Sequence, residues 1–413
     1  MNGPGSMSGS SGVCCYPLCL PMRICLIVVY LFCTGYSLGQ NVDPANEPDD
    51  RPRIGLALSG GGARGYSHIG VLKVFEEHNI PIDYIAGTSM GAMVGGLYGS
   101  GLSASEIEEI LLPVDWVALY DDEPERRDRA YRRKEEDQRY ILDFELGQKG
   151  FRLIVPKGLS SWRKLNFLLR SHLQPVAHIN QFRDLPIPFK AMVTNIVTGE
   201  SVAIDHGDLA VAIRASMSLP GMFAPQIIDG ESYVDGGVVN NLPVDTVREM
   251  GADVVVAVDI GSRLRGEEGL NEIMDFSAQS KGLLARQVVE DMLSRADLVL
   301  SPELAGFGTL GFSARDTILR LGREETENKL ALLKQHALSD DEYALHLLRR
   351  RARVSSPERA HYLKSVTIKG AERVDERVVR TRIHLRKGDV LDYGILHDDL
   401  DRVFGLGDFE WVD

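Results

Sequence analysis

Beyond residue 33 the sequence contains no cysteine: all five (Cys14, Cys15, Cys19, Cys25 and Cys33) precede that point. The rest of the chain therefore cannot form a disulfide, a thiolate metal site or a cysteine nucleophile. Positive charge is also short, with 46 Lys and Arg against 59 Asp and Glu and a formal net charge of −13. An acidic balance argues against a general nucleic-acid-binding protein, although a local basic face could still meet a membrane. Long apolar runs are missing: Ile24 to Cys33 is too short for a comfortable transmembrane helix. No internal repeat is present. The remainder is ordinary for a globular protein, with 44% hydrophobic and 25% charged residues. Its 413 residues allow one large domain and a smaller one. Glycine, at 41 residues, is high and clustered, which marks places where backbone approaches closely.

Arg23 is the only charged side chain before Asp43, and the apolar run that follows it leads into Thr34-Gly-Tyr-Ser-Leu-Gly-Gln40. A positive residue, a short apolar stretch and small residues at Ser37 and Gly39 read as a secretory signal peptide over 1–39, cleaved before Gln40. A membrane anchor or a tail is the alternative. Residues 40–53 are rich in Pro and charge and read as a linker.

From Ile54 to Gly322 short apolar strands alternate with helical periods. Strands are expected at Ile54–Leu58, in a second run that ends at Tyr84–Ala86, and at Phe189–Asn195, Ser201–Asp205, Val254–Asp259 and Ala296–Ser301, with helices over Tyr66–His78 and Met90–Tyr98. This alternation predicts an α/β domain whose mainly parallel sheet is covered on both faces. Residues 121–139 are dense in both signs of charge and read as a solvated insertion, with a lipid-headgroup contact as the alternative. Residues 323–360 read as a charged helical connector, and a dimer contact there is a second reading. In the last segment, 361–413, Leu363–Lys369 reads as a strand, two helical periods follow, and Gly405 onward resembles the entry to another strand. This β-α-α-β unit stops at Asp413 before a sheet could close.

Three motifs carry chemistry. Gly87-Thr88-Ser89-Met90-Gly91 follows a strand end and opens a helix, the setting of a nucleophile elbow. Glycines on both sides let backbone cross tightly, and the serine hydroxyl projects at the positive end of a helix dipole. Gly60-Gly61-Gly62-Ala63-Arg64-Gly65 follows the first strand, so its amides could converge on a phosphate or a tetrahedral oxyanion. A nucleotide site is disfavoured: no Walker lysine is present, and Asp83 precedes a strand instead of ending one. Asp235-Gly236-Gly237, within Val234–Pro243, suits a carboxylate approached closely by other backbone, and equally a plain turn. A serine nucleophile needs a base. None of the ten histidines carries the flanking signature of a catalytic loop, which leaves His206 (in a Ser-His-Asp triad) and Asp235 itself as candidates.

Together these residues resemble the patatin-like phospholipase family: Gly60–Gly65 for its anion loop, Gly87–Gly91 for its serine elbow and Asp235–Gly237 for its aspartate motif. The resemblance covers 54–322 and implies a three-layer α/β/α fold and lipid acyl-ester hydrolysis by a Ser-Asp dyad, with no metal or other cofactor. It implies Ser89 as nucleophile, Asp235 as base, the amides of Gly60, Gly61 and Gly62 as oxyanion hole, and Arg64 and Gly65 as support for that loop. Gly87, Gly91, Gly236 and Gly237 would allow the close approaches. Residues 361–413, through Leu406–Val412, resemble the start of a polypeptide-transport-associated (POTRA) domain. That architecture implies a lipid substrate at a membrane surface, no nucleic acid, and an outer-membrane barrel or assembly machinery as partner. It also implies export to the periplasm, outer membrane or surface of a Gram-negative cell. An α/β-hydrolase triad and a non-catalytic secretion passenger are the competing readings.

Overall fold

The computed structural model describes residues 51–120, 127, 147–149, 152–154, 162–261, 286–354, 362–371, 374–409 and 412. The expected signal segment, the expected linker as far as Asp50 and almost all of the charged stretch 121–139 lie outside the described residues.

Five parallel strands form the body of an eight-stranded sheet. Ile54–Leu58 (β1) lies between Tyr84–Thr88 (β2) and Val254–Val258 (β7). Leu298–Leu300 (β8) extends the sheet beyond β7, and Phe189–Asn195 (β3) extends it beyond β2. Three antiparallel strands complete it: Ser201–Ile204 (β4) on β3, Glu231–Asp235 (β6) on β3, and Gln226–Ile228 (β5) on β6. Strand alternation sorts side chains by size. Leu56, Leu58, Ile85, Val256 and Val258 face one core, shared with helices Tyr66–Glu77 (α1) and Met90–Gly99 (α2). Ala57, Ala86, Val255 and Ala257 face the other, under Val244–Glu249 (α6) and the helix over 286–295. The layers are therefore helix, sheet, helix, as the sequence predicts.

On the larger core, Ala104–Leu111 (α3), Arg163–Leu173 (α4) and Leu209–Ser216 (α5) complete the helical layer. Arg315–Asn328 (α7) begins ahead of the expected connector and packs along α1: a Cβ on Gly322 would lie 2.1 Å from the Ser67 carbonyl oxygen. Asp340–Val354 (α8) follows.

The expected strand at Leu363–Lys369 does not form. The described backbone there makes a single bridge, Tyr362 with Val390, and no ladder. An extended segment needs a partner strand. The expected partner near Gly405 is a turn instead, with Glu410, Trp411 and Asp413 outside the described residues. What forms is helical: Glu376–Arg380 (α9) and Tyr393–Phe404 (α10). Helix α10 docks on α4, where Arg163 pairs with Asp401 and lies 4.9 Å from the Phe404 ring centroid, and Phe167 stacks on His397.

Candidate active site

Strand β3 brings the serine and the aspartate together. Its lower half pairs with β2, up to Thr88 opposite Met192. Its upper half pairs with β6, starting with Asp235 opposite Val193. Strand β4 fills the other edge of β3 at this level, so β2 and β6 must share one edge and meet head to head. The chain leaves β2 at Ser89, and the carboxylate of Asp235 arrives where β2 would have continued.

Ser89 is half-buried, with φ 53° and ψ −121°, a conformation that side-chain-bearing residues rarely adopt. The strain is held from several sides. The Ser89 amide donates to Ser216 Oγ at 2.8 Å, at the end of α5. A Cβ on Gly91 would lie 2.4 Å from the Leu58 carbonyl oxygen, and one on Gly87 would lie 2.4 Å from that of Gly91. Only glycine at these two positions lets the elbow sit against β1.

The glycine loop crosses directly over the serine: a Cβ on Gly60 would lie 2.9 Å from Ser89 Cβ. Gly60 donates its amide to the Asn241 carbonyl at 3.3 Å, and Asn241 Nδ2 donates back to the Gly60 carbonyl at 3.2 Å. Ala63 donates to the Thr309 carbonyl, which leaves the amides of Gly61 and Gly62 without an acceptor among the described residues. Arg64 is buried and its Nε donates to the Gly61 carbonyl at 3.2 Å, so it ties the loop from inside. Burial lowers the Arg64 pKa, and the charge of Asp259 acts in the opposite sense. Behind the loop, fully buried His68 makes a 2.9 Å hydrogen bond to the Ser59 carbonyl. Burial pushes the His68 pKa down to about 4, so the ring is neutral near pH 7 and is spent on the loop backbone.

Asp235 is 6% exposed. Burial raises its pKa to about 6, against the lowering effect of the Gly237 amide at 2.7 Å and of the Ser89 hydroxyl, which acts on it as a side-chain donor. A carboxylate poised near neutrality beside a strained serine is suited to proton transfer. His206 is placed elsewhere. Ile204 pairs with Ala191, so His206 falls level with Phe189, which is level with Ile85. Ser89 lies four residues beyond Ile85, or roughly 13 Å further along the strands. The His206 ring nitrogens face Asp205 and Asp229. The structure thus brings Ser89, Asp235, the Gly60–Gly62 loop and Arg64 together and leaves His206 out. Sequence reasoning gave no role to Asn241, Ser216, Ser59 or His68. Asn241 stood inside the aspartate motif, but its partner is 181 positions away.

The patatin-like phospholipase family is matched by residues 56–248. This span of the chain belongs to that family. The matched span includes the glycine loop, the serine elbow and the aspartate motif of the patatin-like domain. An uncharacterised NTE family protein of Mycobacterium tuberculosis is 35% identical over 219 residues, 52% of this chain and 51% of that protein. Human patatin-like phospholipase domain-containing protein 6 is 35% identical over 212 residues, 51% of this chain and 13% of that protein. A lysophospholipase of Aspergillus fumigatus is 30% identical over 294 residues, 65% of this chain and 18% of that protein. The chain therefore spans about half the length of the mycobacterial relative and less of the other two. Among solved structures it is similar to VipD from Legionella pneumophila, at 15% identity and a TM-score of 0.39, with 86% of this chain and 80% of VipD covered.

Proposed function

We propose that the chain is a lipid acyl hydrolase that forms an acyl-enzyme on Ser89 with Asp235 as its base. One observation carries the reading: a strained serine and a buried carboxylate with a pKa near 6 meet on one edge of β3, beneath two unengaged glycine amides. The Asp235 carboxylate takes the Ser89 hydroxyl proton as Oγ attacks the ester carbonyl carbon. The amides of Gly61 and Gly62 receive the oxyanion, with Gly60 holding the loop against Asn241; losing one such donor typically costs about 2.7–4 kcal/mol. Collapse expels the alcohol, which leaves with the proton from Asp235. Water then attacks the acyl-enzyme while Asp235 accepts its proton, and Asp235 returns that proton to Ser89 Oγ as the fatty acid is released. A fungal relative named as a lysophospholipase supports a phospholipid or lysophospholipid ester as the substrate class.

Fatty-acid release from phospholipid vesicles in the presence of EDTA tests this. The unsubstituted protein is expected to release acid, and folded Ser89→Ala and Asp235→Asn variants are expected to lose at least about a thousandfold. Activity retained by Asp235→Asn but lost by Ser89→Ala would assign the base to another group. We further propose that residues 1–39 direct export and that 361–413 form a POTRA-like unit which engages an outer-membrane barrel or assembly machinery. Sequencing the N-terminus of protein recovered from the cell envelope tests the first, with Gln40 expected as the new terminus.

A further inference from the structure

The loops around Ser89 are unusually apolar for exposed backbone. Among the described residues from 51 to 261, six large apolar side chains are exposed, and none of them precedes Ile196. Five sit on loops that carry the site: Ile196 and Val197 at the tip of the β3–β4 hairpin, Leu219, and Val238 and Val239. The sixth, Ile227, is on the edge strand β5. Leu310 adds a side chain from the opposite flank of the glycine loop. The exposures of Ile196, Val197, Leu219, Val238, Val239 and Leu310 run from 38% to 79%.

Each is tied to the site by a backbone contact close in sequence. Ile196 follows Asn195, which ends β3 above the Val193–Asp235 pair. Leu219 follows Ser218, whose carbonyl accepts the Asp235 amide at 2.9 Å. Val238 and Val239 lie between Asp235 and Asn240, whose carbonyl accepts the Thr88 hydroxyl at 3.0 Å. Leu310 follows Thr309, whose carbonyl accepts the Ala63 amide at 2.8 Å. These loops are also nearly free of charge: segments 196–200, 219–223, 236–241 and 307–311 contain no Lys or Arg, and Glu200 is their only ionisable side chain. In a chain that is one-quarter charged, these four described segments hold a single ionisable side chain.

We propose that this rim is the surface by which the protein settles on a zwitterionic lipid layer, so that an acyl ester enters toward Ser89 without leaving the lipid phase. The inference deepens the hydrolase reading and rests on it for the choice of a lipid as occupant. An apolar rim gains from burial in the headgroup and acyl boundary, and the four described segments supply no cation with which to gather anionic lipid. Attachment should therefore be insensitive to salt and should not require anionic headgroups.

The experiment uses the full chain carrying Ser89→Ala, so that binding is read without turnover. It is sedimented with phosphatidylcholine vesicles, with and without added phosphatidylglycerol, at low and high salt. Val197→Glu and Leu310→Glu are each expected to lower the bound fraction constant roughly tenfold, while added salt and added phosphatidylglycerol leave binding by the parent unchanged. On the Ser89 background, the same two substitutions are expected to reduce hydrolysis of vesicle phospholipid by a similar factor. Hydrolysis of a dissolved short-chain p-nitrophenyl ester, which needs no interface, is expected to change less than about twofold and reports an intact fold and dyad. Undiminished vesicle binding by both variants would overturn the proposal, and so would binding that requires phosphatidylglycerol and fails in salt. An unsubstituted protein inactive on both substrates would count against the hydrolase reading alone, since the sedimentation arm still reads the rim.

Discussion

The carboxyl of Asp235 and the imidazole of His68 are both held away from solvent, and burial moves their pKa values past each other, up to about 6 and down to about 4. The consequences for stability have opposite signs. Folded Asp235 binds its proton more tightly than the unfolded chain does. Its contribution is present below an ordinary carboxylate pKa and is lost as pH rises through 6, by about 3 kcal/mol. Folded His68 binds its proton more weakly, so its contribution is present above an ordinary imidazole pKa and is lost as pH falls toward 4, by a similar amount of about 3 kcal/mol. Between these limits the two effects nearly cancel. Asp235→Asn should therefore raise the unfolding free energy at pH 8 by about 1–3 kcal/mol and expose the acid-side loss due to His68. Urea melts at several pH values check both. The ionised carboxylate is the proposed base, so kcat/KM should fall about tenfold per pH unit below 6. A rate that stays flat down to pH 5 would rule Asp235 out of that role.

At the scale of elements, glycine decides which surfaces touch. Helices α1 and α7 cross so closely that a Cβ on Gly70 would meet the Leu319 carbonyl at 2.1 Å, and one on Gly322 would meet that of Ser67 at the same distance. Neither contact is with a flexible side chain. Gly322→Ala should therefore destabilise the protein by about 1–3 kcal/mol, read as a lower urea midpoint with an unchanged slope. Labelling of Ser89 by a fluorophosphonate in the folded protein should persist. Strands β1 and β2 and helix α2 were legible because apolar runs end in glycine punctuation that only a strand-turn-helix satisfies. Strand ends were less so: Asp259 was expected to close its strand, but the strand ends at Val258 and the Asp259 carboxylate accepts the Gly261 amide. Leu363–Lys369 has the alternation of a strand without a partner to pair with. At the site, residues acting through local backbone geometry were readable, whereas Asn241 and Ser216 act on backbone 181 and 127 positions away that only the tertiary fold brings near.

At the scale of the whole molecule, the C-terminal helices are joined to the α/β body by a buried ion pair. Arg163 and Asp401 are each less than 9% exposed, and Arg163 opens α4 directly after Trp162, whose ring packs edge-on against Phe223 at 3.9 Å. Removing one partner of a buried pair strands the other charge. Asp401→Ala should cost about 3 kcal/mol, and it should lower one common unfolding transition. A separate early transition confined to the C-terminal helices would instead show that they melt on their own.

The head-to-head meeting of β2 and β6 on one edge of β3 also has a consequence for biosynthesis. A nascent chain that has emerged only as far as β3 holds the glycine loop and Ser89, but no carboxylate stands beside the hydroxyl. Strand β6 pairs with β3 only after the β4 hairpin and α5 have been made, and Asn241, which clamps the glycine loop, comes later still. The proposed pair therefore cannot assemble before β6 has been made, and under the proposed function a chain interrupted earlier holds the serine without its base.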